Sequence, residues 1–182
     1  MMTRGRDDHD DHGAATVEFA LTLPLLMCLI LGVITGGITL NQKIAVTNGV
    51  REGSRFGATL SVVSGCPSGP ATMTCWLTQV ADVTQAAAEG ELNYDVASRS
   101  ICVAYVHPSE TTIPTDRTTR LVRDAAGDTV TVGSTCFAAS DGRPDTERRV
   151  QVTGQRAGSI EYFFGTARPT LSSDSVTKFE AT

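Results

Sequence analysis

Residues 13–40 read GAATVEFALTLPLLMCLILGVITGGITL, and what this stretch is decides how the rest of the chain is read. From Phe19 to Leu40 there are 22 residues without a charge. At 1.5 Å per helical residue they extend roughly 33 Å, enough to cross a hydrocarbon core about 30 Å thick. A cleavable secretory signal has an apolar stretch of about 7 to 15 residues with a small-x-small site after it. This run is longer and holds no A-x-A site, so it reads as a spanning helix. Pro24 removes one backbone hydrogen bond, which a span tolerates where neighbouring groups satisfy the freed carbonyl. Glu18 stands at the front edge of the run. A charge deep in a bilayer costs about 2.5 to 3.5 kcal/mol, which makes such an acid a functional candidate.

Within the span, Gly32 and Gly36 form a G-x-x-x-G pair with Thr35, Gly37 and Thr39 beside it. Small residues at that spacing let helix backbones approach closely in lipid. Cys28, in mid-span, reads as a small apolar residue. The following stretch, NQKIAVTNGVREGSRFGATL at 41–60, is polar enough to leave the bilayer and keeps Ile44, Val46, Val50 and Phe56. It predicts a helical extension with one apolar stripe, weakened by Gly49, Gly53 and Gly57 at about 1 kcal/mol each relative to alanine.

Residues 61–182 are enough for one small domain. Cys66, Cys75, Cys102 and Cys136 form no C-x-x-C pair and have no histidine tract near them, so zinc is not indicated. An even set beyond a span reads as two disulfides, for which three connectivities exist. We expect Cys66 with Cys75 and Cys102 with Cys136, contributing about 2.7 and about 3.8 kcal/mol in the chain-entropy picture. Helical spacing of Trp76, Leu77, Val80, Val83, Ala86 and Ala87 predicts a helix over 76–89 that stops at Gly90. The period then changes. Strands are predicted at 100–106, at 120–123 and 129–137 around a DAAGD turn, at 149–155, and at 170–180. IEYFF at 160–164 predicts a short strand or turn, and 107–116 and 138–146 predict loops. The fold class is α+β: a long N-terminal transmembrane helix with an amphipathic extension, then one helix and a small disulfide-containing antiparallel β-sheet.

No catalytic constellation assembles. His9 and His12 precede the apolar run, and His107 stands alone before Pro108. G-x-S-x-G, H-E-x-x-H and a lysine-bearing phosphate loop are all missing from the sequence. The run DDHDDH at 7–12 reads as a solvated acidic tract rather than a metal site. Asp141, Asp145 and Glu147 lack calcium-loop spacing and read as a solvated turn. Arg117, Arg120, Arg123, Arg148 and Arg149 alternate with acids and lack aromatic platforms, so no nucleic-acid partner is indicated. No cofactor, metal or enzymatic activity is expected.

Gly13 followed by AATVE, with VEFAL leading into a leucine-rich run, resembles the amino terminus of type IV prepilins. In particular it resembles the TadE-like minor pilins and pseudopilins of tight-adherence (Tad, type IVc) pili. NGVREGSRFGA at 48–58 is similar to that family's post-membrane stretch, and the ending in Phe179 and Glu180 is a looser likeness. The resemblance implies cleavage by a prepilin peptidase between Gly13 and Ala14, with Glu18 fifth in the mature chain. It implies a bacterial Tad-type filament, serving adhesion, DNA uptake or secretion, with other pilin subunits and the Tad assembly platform as partners. The leader departs from the family in being net acidic, with Asp7, Asp8, Asp10 and Asp11 against Arg4 and Arg6. Losing those two cations and four acids takes the net charge from −5 to −3. The implied organisation is a cytoplasmic leader at 1–13, a transmembrane and assembly helix at 14–40, a helical extension at 41–60 and an extracytoplasmic domain at 61–182. Physically, the new ammonium at Ala14 would lie one helical turn from Glu18. A buried carboxylate needs such a partner. The alternative is a single-pass membrane-anchored binding module that never enters a filament.

Overall fold

The computed structural model describes residues 10–60, 73–106, 118–137, 141–143, 147–158, 160–162 and 165–179, with backbone only at 10–12, 14 and 160–162. Its first element is one continuous helix, α1, Asp10–Thr59, 50 residues long with Pro24 inside it. The apolar half stands clear of the protein: Val17, Phe19, Leu21, Leu25, Leu29 and Val33 are all more than 60% exposed. From Ala45 onward the same helix becomes part of a core. Val46, Val50, Ser54 and Ala58 are buried, each about one turn beyond the last. The extension is therefore helical and two-faced, as its pattern predicts, but Ile44 lies on the outer face at 57% exposed.

The second helix, α2, Met73–Ala87, packs across this inner face with Trp76, Leu77, Val80, Ala81 and Thr84 buried. It begins three residues before the predicted start. Beyond it the backbone turns left-handed at Glu89 (φ 51°) and Gly90 (φ 82°), one residue earlier than the glycine stop implies. The strands are β1 (Arg99–Val106), β2 (Thr119–Asp124), β3 (Gly127–Val132), β4 (Arg149–Ala157), β5 (Ile160–Tyr162), β6 (Gly165–Ala167) and β7 (Thr170–Lys178). The main sheet has the order β3-β2-β1-β4-β7, and β5 and β6 form a separate hairpin. All pairs are antiparallel. The DAAGD turn is where the sequence predicts it, with the Ala126 N–H donating to Asp124 Oδ1 at 2.8 Å. β3 ends at Val132 rather than 137, because Gly133 takes φ 77° and the chain leaves the ladder. The predicted IEYFF strand contributes β5, with 163–164 outside the described residues.

Ile101, Val103, Tyr105, Leu121, Val150 and Val152 on one face of the sheet meet α1 and α2 to form the core. Trp76, Tyr105 and Phe179 close its far end, with ring centroids 5.3 to 5.8 Å apart. The Trp76 indole N–H donates to the last-turn carbonyl of Leu60 at 3.2 Å. The three glycines expected to weaken α1 are where it touches α2. A Cβ at Gly49 would meet Ala88 Cβ and the Thr84 carbonyl at 2.7 Å, and one at Gly53 would collide with Thr84 Oγ1. At Gly57 it would meet Val80, Val150 and Trp76 at 3.0 to 3.2 Å. Glycine here gives up helix propensity for close approach.

The Cys102–Cys136 disulfide joins β1 to the chain beyond β3 across 34 residues. Cys75 is disulfide-bonded as well, while its expected partner Cys66 lies outside the described residues. Two polar assemblies correct the reading of these charges as solvated or merely interleaved. Asp141 has a side chain only 1% exposed, paired with Arg149 and accepting from Gln151 Nε2 at 2.7 Å. Burial alone would raise its pKa. The hydrogen bonds from Gln151, from the Arg143 N–H and from Arg149 outweigh that and hold the carboxyl below the usual range. Arg123 donates twice to Asp128, at 2.8 and 2.9 Å, reaches Asp82 on α2, and lies 5.2 Å from the Tyr94 ring centroid.

Candidate functional site

The residues singled out from sequence lie along the bare half of α1. Gly13 is exposed in the first turns, and an added Cβ there would meet nothing within 4 Å. Ala14 follows in the helix, and Glu18, exposed, is one turn on. Gly32 and Gly36 likewise face open space. The structure thus lines these residues up on one rod and gives Gly32 and Gly36 no packing partner among the described residues.

Helix periodicity sorts the rod into two faces. At 3.6 residues per turn, Glu18, Cys28, Gly32, Thr35, Gly36 and Thr39 fall within an arc of about 100°. The same arc continues into Val46, Val50, Ser54 and Gly57, the side that carries the domain. Thr35, Thr39 and Lys43 are partly covered, unlike their neighbours Ile34, Ile38 and Leu40. The opposite arc holds Phe19, Leu23, Leu26, Met27, Ile30 and Ile34. Threonine hydroxyls on the first arc are satisfied internally, Thr39 Oγ1 donating to the Thr35 carbonyl at 2.9 Å and Thr35 to that of Leu31. These two hydroxyls therefore require no water, which suits hydrocarbon.

Where the apolar run ends, Lys43 Nζ donates to the Ser172 carbonyl of β7, tying the rod to the sheet. Further up, Ser54 Oγ lies 2.7 Å from Ser175 Oγ and accepts from Thr177 Oγ1 at 3.0 Å. Sequence reasoning passed over Ser54, took Gly49, Gly53 and Gly57 only as weakening the helix, and took Asp141 and Arg149 for solvated or interleaved charges. The three glycines recur every fourth residue, and that spacing is the one signal that could have exposed their shared face.

A single helix that is greasy and bare along one half and core-forming along the other has, in its bare half, the length and composition to cross a membrane. The best 18-residue window within Ala15–Thr59 has a mean hydropathy of 2.4. The family described as TadE-like protein matches residues 13–55, just under a quarter of the chain. The amino-terminal segment is TadE-like, in agreement with the likeness carried by VEFAL and NGVREGSRF. The matched residues lie wholly within α1. No curated relative and no solved structure matches the chain.

Proposed function

We propose that this chain is a minor pilin-like structural subunit, cut by a prepilin peptidase between Gly13 and Ala14 and assembled through α1 into, or at the base of, a Tad-type pilus. The observation that carries this reading is the TadE-like match itself, which begins at Gly13 and runs to Arg55 on the helix that joins the apolar run to the core. Residues 1–13 lie in the cytoplasm, 14–40 cross the membrane, and the domain lies outside it.

Cleavage frees an ammonium group at Ala14 one turn from Glu18, or brings that amine to the Glu18 of a neighbouring subunit. Assembly transfers the rod from lipid to a bundle of similar rods. Lipid is as apolar as leucine, so this gains little hydrophobic energy. Packing at Gly32 and Gly36, charge pairing at Glu18 and the assembly platform supply the drive. Mass spectrometry of the mature protein tests the reading. A processed subunit begins at Ala14; retention of Met1 where the pilus machinery is active refutes it and leaves a plain tether.

A further inference from the structure

The two edges of the main sheet are treated differently. In β7, Phe179 N–H donates to the Arg148 carbonyl at 3.0 Å and Gly158 N–H donates to that of Pro169 at 2.7 Å. This register turns the odd-numbered residues of β7 toward β4 and the even-numbered ones outward. Two of the outward carbonyls are occupied: Lys43 Nζ donates to Ser172 and Arg143 Nη2 to Val176. Cationic side chains laid over an edge are a device against strand addition.

β3 has no such cover among the described residues. Gly133 N–H donates to the Thr118 carbonyl at 2.7 Å, which turns Gly127, Thr129 and Thr131 inward and leaves Asp128, Val130 and Val132 facing out. Val130 pairs in register with buried Leu121 and Val132 with Thr119, so their side chains continue the inner apolar face beyond the helices. They are 41% and 58% exposed. At the turn end two acids, Asp82 and Asp128, share the one cation Arg123, which leaves that end acidic by one charge.

We propose that the outer edge of β3, uncovered among the described residues, is a strand-addition site for an extended segment of a different polypeptide, apolar on one side and basic where it passes Asp128. A second copy does not fit, on an argument that rests on the membrane-anchored reading above. Gly57 lies against Val150 and Gly154 against Val50, so β4 runs antiparallel to α1 and β3 therefore parallel to it. Pairing β3 antiparallel with β3 of a second copy needs a two-fold axis perpendicular to the strands. That axis would point the two α1 rods in opposite directions, which one membrane forbids. Pairing β3 with β7 of a copy meets the edge that Lys43 and Arg143 block. A foreign strand meets neither obstacle, gains main-chain hydrogen bonds at Val130 and Val132, and seats alternate apolar side chains beside them.

The test is binding of a fluorescent peptide TVTVTK to the full chain in detergent micelles. Run antiparallel, it sets its valines opposite Val132 and Val130 and its lysine opposite Asp128. Saturable binding is expected, weakened about tenfold or more by Val130→Pro and by the peptide TVTVTE. Proline at 130 removes an outward N–H and no ladder bond, so β3 stays paired. Val132→Lys is the second variant, should Val130→Pro fail to fold, and is expected to weaken binding too. No saturable binding up to about 1 mM, or equal binding by both variants, overturns the site. A symmetric dimer lost in Val130→Pro overturns the choice of occupant. The mature amino terminus is read independently, so none of these outcomes bears on processing after Gly13.

Discussion

Replacing Gly53 by alanine sets helix propensity against packing, and the two give opposite signs. Propensity alone predicts stabilisation by about 1 kcal/mol, the usual gain for glycine to alanine inside a helix. The structure predicts the reverse. The new methyl would collide with Thr84 Oγ1 and lie 3.0 and 3.3 Å from Thr84 Cβ and Cα. The hydroxyl cannot swing aside freely, because it donates to the Val80 carbonyl at 2.7 Å. With the main chain of Thr84 so near, α1 and α2 themselves must part. Overpacking of this kind costs about 1 to 3 kcal/mol, and a hydroxyl held in place by its own hydrogen bond puts it in the upper half of that range. After the propensity gain, the net loss is about 1 to 2 kcal/mol. Trp76 sits between the last turn of α1, α2 and the aromatic cluster, so its fluorescence during urea unfolding of the micelle-bound protein reports this interface. Gly53→Ala should lower the midpoint, and Thr84→Ala in the same chain should recover much of the loss. Gly32→Ala, with nothing within 4 Å, should leave the Trp76 transition unchanged. A Gly53→Ala midpoint at or above that of the unchanged protein refutes the close-approach account.

Replacing Cys102 by serine should cost up to about 3.8 kcal/mol from the 34-residue separation, measured as the shift of the same urea transition without reductant. Asp141→Asn leaves the Arg149 guanidinium almost buried and without its carboxylate, and should cost about 3 kcal/mol or more by chemical denaturation. The folded-state pKa of Asp141 is depressed, so its stabilisation is full above the unfolded carboxyl value of about 3.9 and is lost as pH falls from there through the folded value. A stability profile over pH 2 to 6 should flatten in Asp141→Asn relative to the unchanged chain. Glu18→Ala should impair incorporation into pili, scored by immunoblot of sheared filaments, while leaving the Trp76 transition in place. Normal incorporation would remove the role given to that carboxylate.

Much of the fold was legible because local pattern and final structure agree. The span announces itself by 22 uncharged residues, the second helix by the spacing of Trp76, Leu77 and Val80, and the β2–β3 turn by DAAGD. The two polar assemblies were not legible. Asp141 lies in a segment whose composition reads as surface, and its burial depends on Arg149 and Gln151 arriving from β4. The glycines of the extension were misjudged for the same reason. Whether glycine weakens a helix or fits it to a neighbour depends on the neighbour, here Thr84 and Ala88 on a helix still to come in the chain. At Gly13, Glu18, Gly32 and Gly36 the situation is inverted. Sequence spacing speaks clearly there, while the isolated chain leaves those positions bare.

The unbroken run of α1 from Asp10 to Thr59 has a mechanical consequence. Beyond Pro24, tension applied along its greasy end is delivered through continuous helix to Val46, Val50 and Ala58 inside the globule. The head therefore cannot swivel independently of its stalk: a tilt or twist of one is a tilt or twist of the other. Shearing the stalk out by its tail would strip the sheet of its central ridge, so the grip on the rod and the integrity of the head yield to the same load.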